Sequence, residues 1–227
     1  MVNHRPPLPV PGSLLPSLID HTLLTSEATR ADIEKLCAEG LEHGFAAVCV
    51  HGSWVDVCVK LLAGSRVKVA SVAGFPHGAM TSITKAKQTE LLVGLGADEI
   101  DMVAPIGRII DGEWDYVQDD ITRVVKAADG RVVKVILETA ILSSTRIVQA
   151  SAIAMEAGAH FVKTSTGFHP AGGATEEAVA LMHAAVGDRM GVKAAGGIRD
   201  RETALRMVAA GATRIGTSNG VALTHSS

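Results

Sequence analysis

The stretch Gly158-Ala159-His160-Phe161-Val162-Lys163 combines the two features that recur along this chain of 227 residues. A glycine ends an apolar helix pattern, and a short strand pattern follows it at once. The same arrangement occurs at Gly44, Gly96 and Gly211, so that successive glycines are 52, 62 and 53 residues apart. A glycine-ended helix followed by a strand, repeated at this spacing, predicts a chain of alternating α and β units.

Three other strand patterns begin with the pair valine–lysine and alternate with the glycine-led type. They start at Val67, Val133 and Val192. Two βα units therefore occupy about 56 residues, and eight would occupy about 224, the length of a (β/α)8 barrel. We predict a single-domain TIM barrel of parallel strands over residues 14–227, preceded by a flexible, proline-rich arm over residues 1–13. An open doubly wound sheet is the alternative, but no G-x-G-x-x-G fingerprint follows a strand.

Apolar periodicity places the elements between these landmarks. Strands are predicted at 18–24, 46–50, 67–75, 99–104, 132–138, 161–166, 192–195 and 214–217. Helices are predicted near 33–41, 54–62, 84–95, 115–128, 145–157, 175–186 and 201–210. Thr29 and Asp32 form a capping-box pattern at the start of the first helix.

Composition restricts the classes of function. The net charge is −3, so nothing indicates a general binder of nucleic acid or of anionic membranes. No apolar run reaches the ~18 residues of a membrane span. Cys37, Cys49 and Cys58 are odd in number and form no C-x-x-C pair, so we expect free thiols and a cytoplasmic protein. No H-E-x-x-H spacing or carboxylate triplet is present, and we expect neither a metal nor a cofactor.

Polar residues occupy the predicted C-terminal ends of strands, where TIM barrels hold their working groups. Strand interiors of valine, isoleucine and alanine do not need such residues. The set consists of Asp20, Cys49, Asp101, Glu138, Lys163, Lys193 and Ser218.

Lys163 and Lys193 are predicted on strands six and seven, which are neighbours. Burying an ammonium group is unfavourable unless it is paired or its pKa falls, and two nearby ammonium groups disfavour double protonation. The pair therefore predicts one neutral amine near pH 7, a nucleophile for a carbonyl group. The alternative is that both lysines are ordinary strand ends whose amines reach solvent.

Asp101 is predicted to face the barrel interior together with Glu99, because strand residues two apart share a face. An inward carboxylate beside an amine can hold it by an ion pair and can carry protons. The alternative is a purely structural ion pair with either lysine.

Two glycine-rich loops follow strands seven and eight, at 196–199 and 216–220. Glycines let backbone N–H groups approach an anion, and these two loops commonly hold phosphate in this type of barrel. The alternative is that the glycines only permit tight turns.

These residues identify a resemblance. The chain resembles the class I deoxyribose-phosphate aldolases along nearly its whole length, in the stretches 18–24, 47–50, 75–78, 96–103, 134–139, 161–167, 193–199 and 216–218. The resemblance implies the reversible cleavage of 2-deoxy-D-ribose 5-phosphate to D-glyceraldehyde 3-phosphate and acetaldehyde through a lysine Schiff base, in deoxyribose phosphate catabolism. The implied partner is a small sugar phosphate, with no nucleic acid and no membrane.

The resemblance also implies roles for individual residues. Lys163 matches the Schiff-base lysine, Lys193 the second lysine that lowers its pKa, and Asp101 the proton-relay acid. The positions that match residues near the sugar are Asp20, Thr22, Cys49 and Thr166. The positions that match the phosphate grip are Gly167, Gly196, Gly197, Arg199, Gly216 and Ser218.

The chain departs from this family at three points. Asn219 replaces a common serine but can still donate a hydrogen bond. Phe168 stands where some members have a lysine, so the phosphate site is expected to be less cationic. Some members use a C-terminal tyrosine for proton transfer, whereas this sequence ends at Ser227 and its one tyrosine is Tyr116.

Two other functions stay open at this point. One is a sugar-phosphate isomerase or a different Schiff-base aldolase on the same barrel, and the other is a non-catalytic sugar-phosphate binder. A homodimer or a higher homo-oligomer is expected.

Overall fold

A computed structural model describes residues 12–224 and shows a closed barrel of eight parallel strands paired in chain order. The strands are β1 Ile19–Leu23, β2 Ala47–Val50, β3 Lys68–Ala73, β4 Glu99–Val103, β5 Val132–Ile136, β6 Phe161–Lys163, β7 Gly191–Ala195 and β8 Arg214–Thr217. The predicted (β/α)8 barrel is confirmed. The predicted arm lies outside the described residues, except that Gly12 and Ser13 begin a 3-10 helix over Gly12–Leu18.

Helices follow the strands on the outside of the barrel. They are α1 Arg30–His43, α2 Val55–Leu61, α3 Ser82–Gly94, α4 Ile106–Asp111, α5 Trp114–Ala127, α6 Ser144–Glu156, α7 Glu176–Val186, α8 Arg201–Ala209 and α9 Gly220–Thr224. The capping box of Thr29 and Asp32 is present, and α1 ends at Gly44 in the left-handed conformation. Among residues 12–224, none of the helices has the length and apolar composition to cross a bilayer.

Several observed strands are shorter than predicted, and two of them end early for clear local reasons. The sixth strand ends at Lys163 rather than residue 166, because the Thr164 hydroxyl donates to the Ala195 carbonyl and accepts from the Ala195 N–H. The fifth strand ends at Ile136 rather than residue 138, because Glu138 adopts a left-handed conformation with φ 57°. Both endings leave polar side chains at the C-terminal face of the barrel.

Alternate strand residues separate two apolar regions, as the period of a β-strand requires. The larger core lies on the outer side of the strands and includes Val48, Val69, Ile100, Val133, Val162, Val192 and Ile215. A small second cluster lies on the opposite strand face and contains Leu24, Ala47, Cys49, Ala70 and Val72. The barrel interior is thus apolar beside β2 and β3, and its remaining strands supply charged side chains.

Candidate active site

A cavity of about 290 Å³ opens at the C-terminal ends of β1, β6, β7 and β8. Nine of the predicted site residues line it, namely Thr22, Lys163, Thr166, Gly167, Gly196, Gly197, Arg199, Gly216 and Ser218. The other four are fully buried and lie outside this lining, namely Asp20, Cys49, Asp101 and Lys193.

Asp101 lies at the centre of a buried cluster of charges. Its Oδ2 accepts hydrogen bonds from the Nζ atoms of Lys163 and Lys193, each at 2.8 Å. Its Oδ1 accepts from Lys134 Nζ, also at 2.8 Å. One carboxylate therefore holds three lysines from three neighbouring strands.

Asp20 forms a second centre of this cluster. Its Oδ2 accepts from Lys193 and, at 3.1 Å, from Lys134. Its Oδ1 accepts from Arg214 Nη1 at 2.7 Å. Glu99 completes the cluster, with its Oε2 2.5 Å from Lys134 Nζ and 3.2 Å from Arg214 Nη1.

The cluster contains four basic side chains and three carboxylates. With every group ionised it would carry one excess positive charge in a region removed from water, which is unfavourable. A neutral amine on one lysine removes the excess. The contacts indicate which lysine, because Lys134 and Lys193 each pair with two or more carboxylates and Lys163 has only a shared oxygen of Asp101.

The pKa directions agree with this assignment. Burial lowers the pKa of Lys163 below its ordinary value, and the nearby Lys193 lowers it further, against the opposing effect of Asp101. Burial also acts on Lys193, but Asp101 and Asp20 outweigh it and raise the pKa of Lys193. The carboxylates around Lys134 likewise raise its pKa well above the usual value.

Burial and the neighbouring Lys193 both lower the Lys163 pKa, as predicted from the sequence, and burial is the larger of the two effects. The alternative that both lysines reach solvent is wrong, because Lys163 is 3% exposed and Lys193 is fully buried. Of the lysines in the cluster, Lys163 is the one that lines the cavity.

The acids of the cluster stay ionised despite their burial. Lys134, Lys163 and Lys193 hold the pKa of Asp101 well below its ordinary value, although burial alone would raise it. Lys134, Lys193 and Arg214 lower the pKa of Asp20 in the same way. Asp101 is therefore a carboxylate that touches the amine of Lys163 and can exchange a proton with it.

Two glycines make room for the cluster. A Cβ at Gly216 would lie 3.0 Å from Lys193 Cε, and a Cβ at Gly191 would lie 2.3 Å from the ring of Phe161. That ring in turn lies under the Arg214 guanidinium, and its centroid is 5.3 Å from Arg214 Cζ. The glycines at these positions thus leave room for Lys193 and Phe161.

Thr166 is fixed at the edge of the cavity by Glu138. The Thr166 hydroxyl donates to Glu138 Oε2 at 2.5 Å, and the Thr166 N–H is 3.3 Å from both carboxylate oxygens. Glu138 was interpreted from the sequence as a structural or orienting carboxylate, and its contacts agree with that interpretation. The pair fixes the loop that continues into Gly167.

The two glycine loops lie against each other and against the β6 loop. Gly196 and Gly197 have φ of 90° and 79°, and Gly167 has φ 83°, conformations that favour glycine. The Thr217 hydroxyl donates to the Ile198 carbonyl at 2.7 Å. The loops after β6, β7 and β8 therefore form one wall of the cavity.

The departures at 219 and 168 have definite places. The Asn219 side-chain amide donates to the Arg199 carbonyl at 2.8 Å, so it links the two glycine loops. Phe168 is 53% exposed and packs edge-on against Phe75 at a centroid distance of 5.2 Å. Lys163 and Arg199 are the basic residues among those that line the cavity.

Some predicted substrate contacts lie deeper than the cavity wall. Asp20 directs its oxygens to Lys134, Lys193 and Arg214. Burial raises the pKa of the Cys49 thiol to about 11, and Cys49 belongs to the small apolar cluster. Their assignment as residues near the sugar stays a prediction.

Sequence reasoning did not assign Lys134 or Arg214 to the site. Lys134 follows a valine at a strand start, as Lys193 does, so the valine–lysine repeat contained the signal. The same repeat contains Lys68, whose side chain is 54% exposed. Lys68 is the first residue of its strand and Lys134 the third, a difference in depth that the pattern alone does not specify.

Within the part of the chain that the structure describes, no three His, Cys, Asp or Glu side chains are grouped to hold a metal ion.

Comparison with known proteins gives matches at the level of family, sequence and structure. The family described as DeoC/LacD family aldolase matches residues 15–225. The chain is 55% identical over 205 residues to the deoxyribose-phosphate aldolase of Bdellovibrio bacteriovorus, covering 90% of this chain and 93% of that protein.

Solved structures agree with the sequence matches. A crystal structure from Coccidioides immitis superposes with a TM-score of 0.93 at 39% identity, covering 96% of this chain and 87% of that chain. The deoxyribose phosphate aldolase of Aeropyrum pernix, described as having a unique tetrameric structure, gives a TM-score of 0.87 at 33% identity, covering 94% and 91%.

Proposed function

Because the chain belongs to the DeoC/LacD family of aldolases, we propose that it reversibly cleaves 2-deoxy-D-ribose 5-phosphate to D-glyceraldehyde 3-phosphate and acetaldehyde. The resemblance found in the sequence is thereby confirmed at the level of the family. The observation that carries the proposal for the site is a buried lysine, Lys163, whose pKa is lowered and whose side chain lines a cavity with glycine loops.

Lys163 acts as the nucleophile in this proposal. Its neutral amine attacks C1 of the open-chain aldehyde and forms a carbinolamine, which loses water to give an iminium ion. The iminium withdraws electrons, so the C2–C3 bond breaks, its electron pair forms an enamine, and the C3 hydroxyl loses its proton. D-glyceraldehyde 3-phosphate leaves first.

Asp101 and Lys193 serve proton transfer in the same scheme. The enamine takes a proton at C2 to become the iminium of acetaldehyde, and water then releases acetaldehyde and free Lys163. Asp101 is 2.8 Å from both amines, so it can pass protons between Lys193 and the reacting groups. Lys193 remains the charged partner because two carboxylates hold it.

The glycine loops are proposed to hold the phosphate. Their backbone N–H groups offer donors to an anion, and Arg199 adds a positive charge at the cavity wall. Phe168 lines the cavity where a lysine would add a second charge. We infer that phosphate binding depends more on backbone N–H donors than on charged side chains.

Assembly and compartment are part of the proposal. The Aeropyrum pernix relative is described as tetrameric, and we propose a homo-oligomer for this chain. Its three cysteines are free thiols, which supports a cytoplasmic location.

The test compares turnover of 2-deoxy-D-ribose 5-phosphate with turnover of ketose phosphates by the purified protein. Release of D-glyceraldehyde 3-phosphate from the deoxy sugar alone supports the proposal. Conversion of ketose phosphates instead would indicate an isomerase or a different aldolase. Binding without turnover would indicate a sugar-phosphate binder and would overturn the proposal.

A further inference from the structure

Two charged residues of the cluster lie away from the cavity, at the amino-terminal ends of their strands. Glu99 is the first residue of β4 and Arg214 the first residue of β8. Arg214 Nη1 bridges Glu99 Oε2 at 3.2 Å and Asp20 Oδ1 at 2.7 Å. Neither Glu99 nor Arg214 lines the cavity that Lys163 opens into.

We propose that Glu99 and Arg214 are positioning residues that set the protonation state of Lys163 without touching the substrate. They act from the amino-terminal end of the barrel, through Asp20 and Lys134. The inference rests on the proposed function, because it concerns the reactivity of the Schiff-base lysine. It assigns a role in the reaction to the opposite end of the barrel from the one where the substrate binds.

Two chains of contact connect the pair to Lys163. One runs from Arg214 through Asp20 to Lys193 and then to Asp101. The other runs from Glu99 through Lys134 to Asp101. Both end on Asp101, the residue that holds the Lys163 amine.

The charges around Lys163 come from nearly every strand. The groups that face the cluster are Asp20 of β1, Cys49 of β2, Glu99 and Asp101 of β4, Lys134 of β5, Lys193 of β7 and Arg214 of β8. β3 contributes the apolar Ala70 and Val72. Glu138 lies above the cluster, bound to Thr166. Because Cys49 is a neutral thiol, the charge balance depends on the three carboxylates and the basic groups.

A charge change at the pair has a predictable sign. Loss of Arg214 leaves the cluster one charge more negative, so protonation of Lys163 becomes easier and its pKa rises. Loss of the Glu99 charge has the opposite effect and lowers the Lys163 pKa. Loss of both leaves the balance unchanged.

A purely structural role is a weak explanation for the pair. Buried ion pairs add little net stability compared with well-packed apolar residues. Here the chain also keeps Gly191 free of a side chain, which leaves room for the Phe161 ring under Arg214. An ion pair of Glu99 and Arg214 at this place is expected where the charges of the two side chains themselves are needed.

The experiment measures the pH dependence of acetaldehyde trapping by borohydride and of kcat/KM, in the full-length wild-type protein and in variants. Arg214→Met should shift the alkaline rise of both profiles to higher pH by about one unit, and Glu99→Gln should shift it to lower pH. The double variant should lie close to the wild type. Arg206→Met, which removes an exposed guanidinium from α8, is the matched control and should not shift the profile.

Three results would overturn the inference while leaving the proposed function intact. In each of them the wild type traps acetaldehyde and turns over substrate. The pH profiles of the single variants then fall equally at all pH values, shift in the same direction, or do not move. If Arg214→Met does not fold, Arg214→Lys and the double variant provide the comparison. A double variant whose pH profile is displaced from that of the wild type would also overturn the inference. A wild type that neither traps acetaldehyde nor turns over would instead refute the proposed function.

Discussion

Two buried lysines of this barrel have a pKa below the ordinary value, and they lie in different places. Lys85, on α3, donates to Asp120 Oδ2 of α5 at 2.8 Å and to the Val103 carbonyl at 2.9 Å. Burial lowers its pKa, and Asp120 opposes that effect. Lys163 has the same primary cause, burial, yet it has a different partner arrangement.

The two lysines differ in whether their carboxylate partner is shared with another lysine and in whether they line a cavity. Lys85 has Asp120 as its carboxylate partner and is fully buried. Lys163 shares an oxygen of Asp101 with Lys193 and lines a cavity. A lowered pKa therefore does not by itself mark a nucleophile. We propose that a competing cation and an open approach distinguish a reactive lysine, Lys163, from a structural one, Lys85.

The largest expected effect separates the two lysines directly. Lys163→Ala removes the proposed nucleophile, so kcat should fall by roughly 10⁴-fold or more, and borohydride should no longer fix acetaldehyde on the protein. Lys85→Met should retain both turnover and trapping, while losing about 3 kcal/mol of unfolding free energy because Asp120 stays buried without its partner. Steady-state kinetics, mass spectrometry and urea unfolding measure the three quantities. An acetaldehyde adduct that persists in Lys163→Ala would break the comparison.

The second prediction concerns the two carboxylates. Asp101→Asn removes the proposed proton carrier that touches Lys163, and kcat should fall by roughly 10²–10⁴-fold. Asp120→Asn should change the unfolding free energy and leave kcat within a few-fold of the wild type. The same kinetic assay and a thermal unfolding scan test both variants. A large loss of kcat in Asp120→Asn, in protein that remains folded, would contradict the separation.

The third prediction uses a pair of glycines, each of which leaves room for a lysine. A Cβ at Gly216 would lie 3.0 Å from Lys193 Cε, and a Cβ at Gly74 would lie 3.1 Å from Lys85 Cε. Gly216→Ala should displace Lys193 and reduce kcat by roughly 10-fold, since misplacement of a supporting group costs rate. Gly74→Ala also meets a left-handed φ of 65°, so it should mainly lower stability. Equal kinetic losses in the two variants would show that the site does not distinguish these lysines.

The smallest expected effect is on the pH dependence of stability. A lysine whose folded pKa is lowered binds fewer protons in the native than in the unfolded state, so stability rises with pH between the lowered pKa and the ordinary value of about 10.4. Each such lysine adds at most about 1.4 kcal/mol per pH unit in that window. Lys85→Met should therefore flatten the rise, as measured by urea unfolding at several pH values. A slope identical to that of the wild type would refute the lowered pKa of Lys85.

The sequence was sufficient for the fold because its signal is local and repeated. Helix-ending glycines and strand patterns at near-constant spacing require only neighbouring residues, and the barrel follows from their number. Lys163, Lys193 and Asp101 could be selected for a similar reason, since polar residues are unusual in buried strands. The resemblance to a family then implied the roles proposed for them.

The contact between Arg214 and Glu99 and the burial of Lys134 could not be predicted in this way. Arg214 and Glu99 are 115 residues apart and meet only because the barrel closes. Lys134 and Lys68 share the valine–lysine pattern, and the depth of each in its own strand decides which one is buried. The contact from Asn219 to Arg199 likewise depends on how two loops pack.

We propose that Lys163 is the neutral, accessible lysine among the three that surround Asp101. The most direct measurement is borohydride trapping of acetaldehyde on the wild-type protein at neutral pH, followed by peptide mapping of the modified lysine. We predict a single ethyl group on Lys163, with Lys134 and Lys193 unmodified. An ethyl group on Lys193 or Lys134 in place of Lys163 would contradict it.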